Sequence, residues 1–325
     1  MKERKKRLLV TADFDESFAA PHLEELKRQG IEMRMADPRK QSEEDLIAAV
    51  REWKAQAVIA GSESWTRRVL EACSGTLGCI VRCGTGYDQV DLEAATEQKI
   101  AVTNTPGQNA NAVAEMAFAH MIALKRKLKY YDNLVQGGGW GLSPALELTG
   151  KTVGLIGFGA VARKLSGLLS GFGCRILAYD VAYDQEAVKR YHVACVGLEE
   201  IYRESDVISI HVPLLPSTAN LIGREAIKKM KDGVILINTS RGGILNTAAL
   251  KEGLDSGKVA GAGLDVHDQE PLPAGFPLLG MDRVILTPHA ATATREAVAH
   301  MVDAGFARVY QYFAQVPIDN QQNKF

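Results

Sequence analysis

Short apolar runs alternate with helix-length amphipathic stretches along almost the whole chain, and that alternation predicts βα units on parallel sheets. "RLLVTA" (7–12) reads as a strand and "PHLEELKRQG" as a helix stopped by Gly30. "EEDLIAAVREW" then predicts a helix, "AVIAG" a strand, "RRVLEAC" a helix, and "GCIVRCG" and "IAVTN" two further strands. Apolar residues recur on a helical period over 111–136, which predicts one long helix ending in the loop "GGGWG". A second series opens at Gly150, with a strand at 152–156, a helix at 160–170, and strands at 175–179, 206–211, 234–237, 259–264 and 283–287. A last long amphipathic helix covers 294–313. The expected class is α/β, with two doubly wound parallel-sheet domains linked by two long helices acting as struts.

The totals sharpen this picture in a few places. A length of 325 residues suits two domains with real cores. The formal net charge of -1 gives no global field toward nucleic acid or an anionic membrane, so neither is expected as a partner. The basic start "MKERKKR" is followed by no apolar region long enough for a signal peptide and reads as a solvated end leading into the first strand. No stretch approaches transmembrane length, and a cytoplasmic protein is expected. Five cysteines, at 73, 79, 83, 174 and 195, form no CxxC pair and lack zinc-ligand spacing. They read as core or loop thiols, and no metal is expected.

"KTVGLIGFGAVARKLSGLL" holds Gly157-x-Gly159-x-x-Ala162 between a β-branched strand and a helical run. Gly157 allows a tight turn, and Gly159 lets backbone amides approach a pyrophosphate at the helix start. Ala162 keeps helix and strand close. Such a glycine turn alone is weak, but the next strand, "RILAYD", ends at Asp180, about 20 residues on, where a ribose-binding acid belongs. "DVAYDQ" offers no basic residue to a 2′-phosphate, which favours NAD over NADP.

Three polar residues follow apolar runs of the same predicted sheet: Arg241 after "VILIN", Glu270 after "VAGAGLDV", and His289 after "VILTP". Ligands of open parallel sheets bind outside the carboxyl ends of strands. Oxidation of a 2-hydroxy acid needs a cation for the carboxylate, a base for the hydroxyl proton, and a group that tunes the base. Arginine's planar fork meets a carboxylate in two parallel bonds. Histidine titrates near neutral pH, and a neighbouring acid raises a histidine pKa and fixes its tautomer. Taken singly, each residue reads equally well as a loop histidine, a solvated acid or a rim salt bridge. Their joint placement beside a nucleotide fingerprint favours the functional reading.

These motifs, in this order, resemble those of the D-isomer-specific 2-hydroxyacid dehydrogenases, with Rossmann/flavodoxin-like domains, over nearly the whole chain. "IVRCGTGYDQVDLEAATEQKIAVTNTPGQNANAVAE" (80–115) is most similar to phosphoglycerate dehydrogenases, and "INTSRGGILNTAAL", "GAGLDVHDQEPL" and "VILTPHAA" resemble the catalytic segments. The resemblance implies Arg241 as the substrate-carboxylate arginine, Glu270 as partner acid and His289 as acid/base. It implies Asp265 against the nicotinamide amide, Ala160 and Val161 against the pyrophosphate, Val212 and Thr239 lining the cofactor cleft, and Thr85 closing on the cofactor from the other domain. The backbone of Gly84 to Gly86 and the side chain of Arg82 would face substrate. It also implies a discontinuous substrate domain, 1–104 with 290–325, an NAD-binding domain, 105–289, and a homodimer.

One departure costs a pyrophosphate contact and another bears on the substrate. Ala160 and Val161 stand where the family often has arginine and isoleucine. The loop after "AVIAG" reads "SESW" (62–65), with acidic Glu63 where phosphoglycerate enzymes usually carry basic side chains. The leading expectation is 3-phosphoglycerate/3-phosphohydroxypyruvate, with hydroxypyruvate or glyoxylate reduction close behind. A non-enzymatic NAD sensor resembling the C-terminal-binding-protein corepressors is the reading from a different class. Formate dehydrogenases, which resemble a glutamine–histidine pair, are disfavoured by Glu270.

Overall fold

The computed structural model describes residues 5–325; the first four residues of the basic start lie outside the described residues. In chain order the elements are β1 (Lys6–Val10), α1 (Leu23–Arg28), β2 (Ile31–Met35), α2 (Glu43–Trp53), β3 (Ala57–Ala60), α3 (Arg67–Cys73), β4 (Cys79–Arg82), α4 (Leu92–Glu97) and β5 (Ala101–Asn104). There follow α5 (Ala110–Lys125), α6 (Leu128–Gln136), β6 (Thr152–Ile156), α7 (Ala160–Ser170), β7 (Arg175–Tyr179), α8 (Gln185–Arg190), β8 (Ala194–Cys195), α9 (Leu198–Glu204) and β9 (Val207–Ile210). The chain closes with α10 (Arg224–Lys229), β10 (Val234–Asn238), α11 (Thr247–Asp255), β11 (Val259–Leu264), β12 (Val284–Leu286) and α12 (Arg295–Phe313). Contacts divide it into two compact units, Met1–Asn109 with Thr294–Phe325, and Ala110–Ala293.

The first unit is a five-stranded sheet of order β2-β1-β3-β4-β5, parallel throughout. That is the flavodoxin-like order, with its reversal between β1 and β3. Strands buried on both faces need apolar residues in both registers. Leu9, Val58 and Ile80 accordingly meet Leu46, Val69 and Trp65 on one side. Leu8, Ile59 and Val81 meet Val302 and Phe306 of α12 on the other. The chain after α12 lies along the β5 edge, where the Val102 amide donates to Asn323 Oδ1 at 2.9 Å.

The second unit is a seven-stranded parallel sheet of order β12-β11-β10-β9-β6-β7-β8. Its order reverses between β6 and β9, which puts a crevice at their carboxyl ends. Apolar clusters cover both faces, one around Ile208, Leu236 and Leu250, the other around Leu155, Leu165 and Met121.

Several sequence expectations are corrected. The helix expected over 111–136 is two helices, α5 and α6, parted where Lys127 takes a left-handed φ of 54°. α5 carries eight buried residues and α6 none, so the break lets the chain leave the core for the surface. Each long helix packs within one unit. α12 covers β3 and β4 of the first unit, and α5 lies against α7, β10 and β11 of the second. Strand β2 and helices α4, α8, α9, α10 and α11 had not been singled out, because their runs are short or strongly charged.

Candidate active site

The nucleotide turn is shaped by contacts that admit only glycine at its first corner. Gly157 sits at φ +97°, and a Cβ there would fall 2.8 Å from the His211 carbonyl carbon and 3.0 Å from the Val212 nitrogen, both at the end of β9. Burial pushes the His211 imidazole down to about 4, so this wall of the turn is uncharged at neutral pH. A Cβ on Gly159 would meet nothing within 4 Å. Gly159 is also the N-cap of α7 and brings no side-chain oxygen to its first amides. An open, uncapped N-terminus of an 11-residue helix, with Ala160 and Val161 in its first turn, suits a pyrophosphate.

Asp180, at the end of β7, is oriented by its own surroundings. Its Oδ2 accepts from the Phe158 amide at 2.5 Å, and Oδ1 accepts from the Val181 and Ala182 amides at 2.7 and 3.2 Å. A carboxylate has about four acceptor sites, so one is left for a ribose hydroxyl. Sequence reading found no cation beside this loop, but Arg163 of α7 does reach it, where its Nη1 donates to Asp184 Oδ2 at 2.6 Å. Thr239, just past β10, is buried with an unpartnered Oγ1, a polar atom available to a cofactor in the cleft it was expected to line.

Arg241, Glu270 and His289 all lie in the second unit at the carboxyl ends of β10, β11 and β12. Buried Asn238 makes the turn that delivers Arg241: its Nδ2 donates to the Arg241 carbonyl at 2.8 Å, and its Oδ1 accepts from Ser240 N and Oγ at 3.1 and 2.8 Å. The half-buried Arg241 side chain donates from Nη1 to the Ser240 carbonyl at 2.8 Å. The following glycines answer a packing demand, since a Cβ at Gly242 would lie 2.1 Å from the His267 carbonyl carbon.

His289 Nδ1 lies 2.8 Å from Glu270 Oε2, with both side chains near 40% exposed. An ionised carboxylate only accepts, so Nδ1 carries the hydrogen and Nε2 is left to exchange a proton. His289 stands at a left-handed φ of 53°, a conformation held by its surroundings. Its amide donates to the Asp265 carbonyl at 2.8 Å and the Thr287 carbonyl at 3.0 Å. The fully buried Asp265 carboxylate takes Thr287 Oγ1 at 2.6 Å and the Ala290 and Ala291 amides at 2.9 Å. Asp265 is thus the clamp of the histidine turn, a role the sequence reading missed. Any bond to a nicotinamide amide has to use its one remaining acceptor site.

In the first unit, the Gly84 backbone at φ +132° leaves its amide donating to Thr105 Oγ1 at 2.8 Å, so that amide is already occupied. Arg82 Nη1 bonds the Cys83 carbonyl, and Thr85 presents its carbonyl to Asn104 Nδ2 at 2.7 Å. Thr85 is exposed and Gly86 half-buried. Glu63, the acid that stands where phosphoglycerate enzymes usually carry basic side chains, is 4% exposed and accepts from Thr11 Oγ1 and the Trp65 indole.

Residues 118–291 match the model of the D-isomer specific 2-hydroxyacid dehydrogenase NAD binding domain. The chain is 41% identical over 244 residues to a hydroxypyruvate reductase of Thermotoga maritima, covering 74% of this chain and 78% of that one. It is 38% identical over 284 residues to a D-3-phosphoglycerate dehydrogenase of Archaeoglobus fulgidus, covering 87% of this chain but only 53% of that protein, so it spans about half that relative's length. Among solved structures, a D-lactate dehydrogenase from Aquifex aeolicus complexed with NAD and lactic acid aligns with a TM-score of 0.81 at 28% identity, over 95% of this chain and 96% of that one. The chain belongs to the D-isomer-specific 2-hydroxyacid dehydrogenase family, and its second unit is an NAD-binding domain of that family.

Proposed function

We propose that the protein interconverts an unphosphorylated 2-oxo acid and its 2-hydroxy acid with NAD(H), the pair being hydroxypyruvate and D-glycerate or glyoxylate and glycolate. NAD(H), when bound, supplies or takes up the hydride. Arg241 holds the substrate carboxylate, and His289 Nε2 gives a proton to the carbonyl oxygen in reduction and recovers it in oxidation. Glu270 keeps the ring in the tautomer this needs, and the Asp265 clamp fixes its height.

The observation that carries the choice of substrate lies at the strand ends of the first unit. The loops after β1, β3 and β4 (11–15, 61–66 and 82–91) contain one basic residue, Arg82, against Asp13, Asp15, Glu63, Asp88 and Asp91. Arg82 spends a donor on its own loop, and Glu63 is a buried acid that accepts from Thr11 and Trp65. A dianionic phosphate meets net negative charge there. The test is kcat/KM for phosphohydroxypyruvate against hydroxypyruvate and glyoxylate at equal ionic strength. Plain acids are expected to equal or exceed the phosphorylated one. A preference for the phosphorylated acid above about tenfold, some 1.4 kcal/mol, overturns the choice. No turnover with any 2-oxo acid overturns the enzyme reading in favour of an NAD sensor.

We further read the protein as a homodimer. Trp140 and Leu142 are 92% and 98% exposed in the segment between α6 and β6, with Leu128, Val135 and Leu146 exposed around them. Apolar surface so concentrated calls for a partner, and a second copy is the simplest. The five cysteines stand unpaired, which supports a reducing compartment such as the cytoplasm. Among the described residues no helix is long and apolar enough to cross a membrane.

A further inference from the structure

We propose that His267 is a positioning residue that fastens Arg241, Glu270 and His289 to one another. It is nine-tenths buried, three residues past the end of β11, and it meets all three by different means. Its main chain lies against Gly242, so closely that a methyl there would sit 2.3 Å from the His267 oxygen, and Gly242 is the residue after Arg241. Its amide donates to Glu270 Oε1 at 2.9 Å, which leaves Oε2 for His289. Its ring Nε2 lies 3.0 Å from the Thr287 carbonyl, the same oxygen that receives the His289 amide.

A carbonyl only accepts, so Nε2 of His267 carries the hydrogen and Nδ1 keeps a lone pair, buried and without a partner. The ring also stands edge-on to Phe276 at 5.9 Å, which holds its plane. His267 sets the height of the turn on which His289 holds a left-handed backbone, and a shift of about 1 Å at such a turn costs up to about a hundredfold in rate.

This rests on the acid/base reading of His289, and the test keeps the two apart. His267→Phe keeps the ring against Phe276 and removes the donor; His267→Gln restores a donor at the reach of Nε2. His267→Asn, whose amide ends short of Thr287, serves the same comparison if the phenylalanine variant does not fold. In the phenylalanine variant kcat is expected to fall at least about tenfold with KM for the oxo acid within about twofold, and glutamine to recover kcat to within about threefold of wild type. Hydrogen exchange at the His289, Ala290 and Ala291 amides, read by mass spectrometry without turnover, is expected to speed up with Phe and not with Gln. Wild-type kcat and exchange in His267→Phe overturn the proposal. Equal damage from Phe and Gln also overturns it, because it assigns the ring to packing alone. If the wild-type chain reduces no 2-oxo acid, the enzyme reading fails, and exchange alone decides the role of His267.

Discussion

Glu63 and Glu270 look alike in the sequence: each is an acid in a short loop after an apolar run. The structure gives them opposite situations. Glu63 is sunk in the first unit, its Oε1 shared by Thr11 and Trp65. Glu270 stands exposed on the second unit, one oxygen on a backbone amide and the other on His289. At the strand ends of the second unit, buried polar residues such as Asn238 and Asp265 grip the backbone, while Glu270 and His289 stand exposed and bonded to each other. In the first unit the corresponding charges build the loops themselves. A charge type in a strand-end loop therefore says little about its role until the buried anchors are known.

The contrast breaks most sharply at Arg241. If it is a functional tip on a rigid turn, Arg241→Lys keeps the charge, loses the planar fork, and leaves the Asn238 turn intact. The expected result is a fall in kcat/KM for the 2-oxo acid of about a thousandfold, roughly 4 kcal/mol, with NADH binding and thermal stability near wild type. A melting point that falls together with the rate marks Arg241 as an anchor and erases the difference between the two units.

How much of this was legible beforehand follows the same line. Strand and helix runs with strong apolar period, such as 152–156 and 160–170, stand where the pattern placed them. The nucleotide turn was legible because Gly157 answers a steric demand that only glycine meets. The bend at Lys127 was not, because nothing local to "LKRKLK" distinguishes a left-handed lysine from a helical one; the break follows from where the core ends. Arg241, Glu270 and His289 were legible as a set, and the structure brings Glu270 and His289 into hydrogen-bond contact. Asn238, His267 and Thr287 were missed: Asn238 acts on a backbone carbonyl three residues on, inside the turn itself, and His267 and Thr287 bond segments 20 and 22 residues apart, which no local pattern marks.

A smaller effect is expected at Asp180, which orders its loop through three backbone amides and has one acceptor site left, the one proposed for ribose. Asp180→Ala is expected to narrow the NADH over NADPH preference in kcat/KM by about ten- to a hundredfold, mostly by weakening NADH. Arg163 limits the gain for NADPH, because Asp184 already holds it and that carboxyl is kept below its usual range by the Ala187 amide and by Arg163 itself. A wild-type preference for NADPH, or a variant with unchanged preference, removes Asp180 from the ribose.

The smallest expected change in rate is at Glu63, and it tests the comparison directly against Glu270. Replacing Glu63 by alanine strands the Trp65 indole N–H in a buried place, leaves the Thr11 hydroxyl only the Ile59 carbonyl at 3.3 Å, and opens a void beneath Gly61. One stranded donor and lost packing cost about 2–4 kcal/mol of the first unit's stability. Urea unfolding followed by Trp65, which is fully buried beside the lesion, reads that loss directly. Activity per folded molecule with a plain 2-oxo acid is expected to stay within about threefold of wild type, because Glu63 serves the loop and touches no reacting atom. Glu270→Gln is expected to behave in reverse, with unfolding close to wild type and kcat down about a hundredfold, since an amide holds the His289 ring less firmly than a carboxylate. If Glu63→Ala instead lowers kcat as much as Glu270→Gln while the unfolding midpoint stays put, the buried acid is part of the chemistry and the division between anchor and tip is wrong.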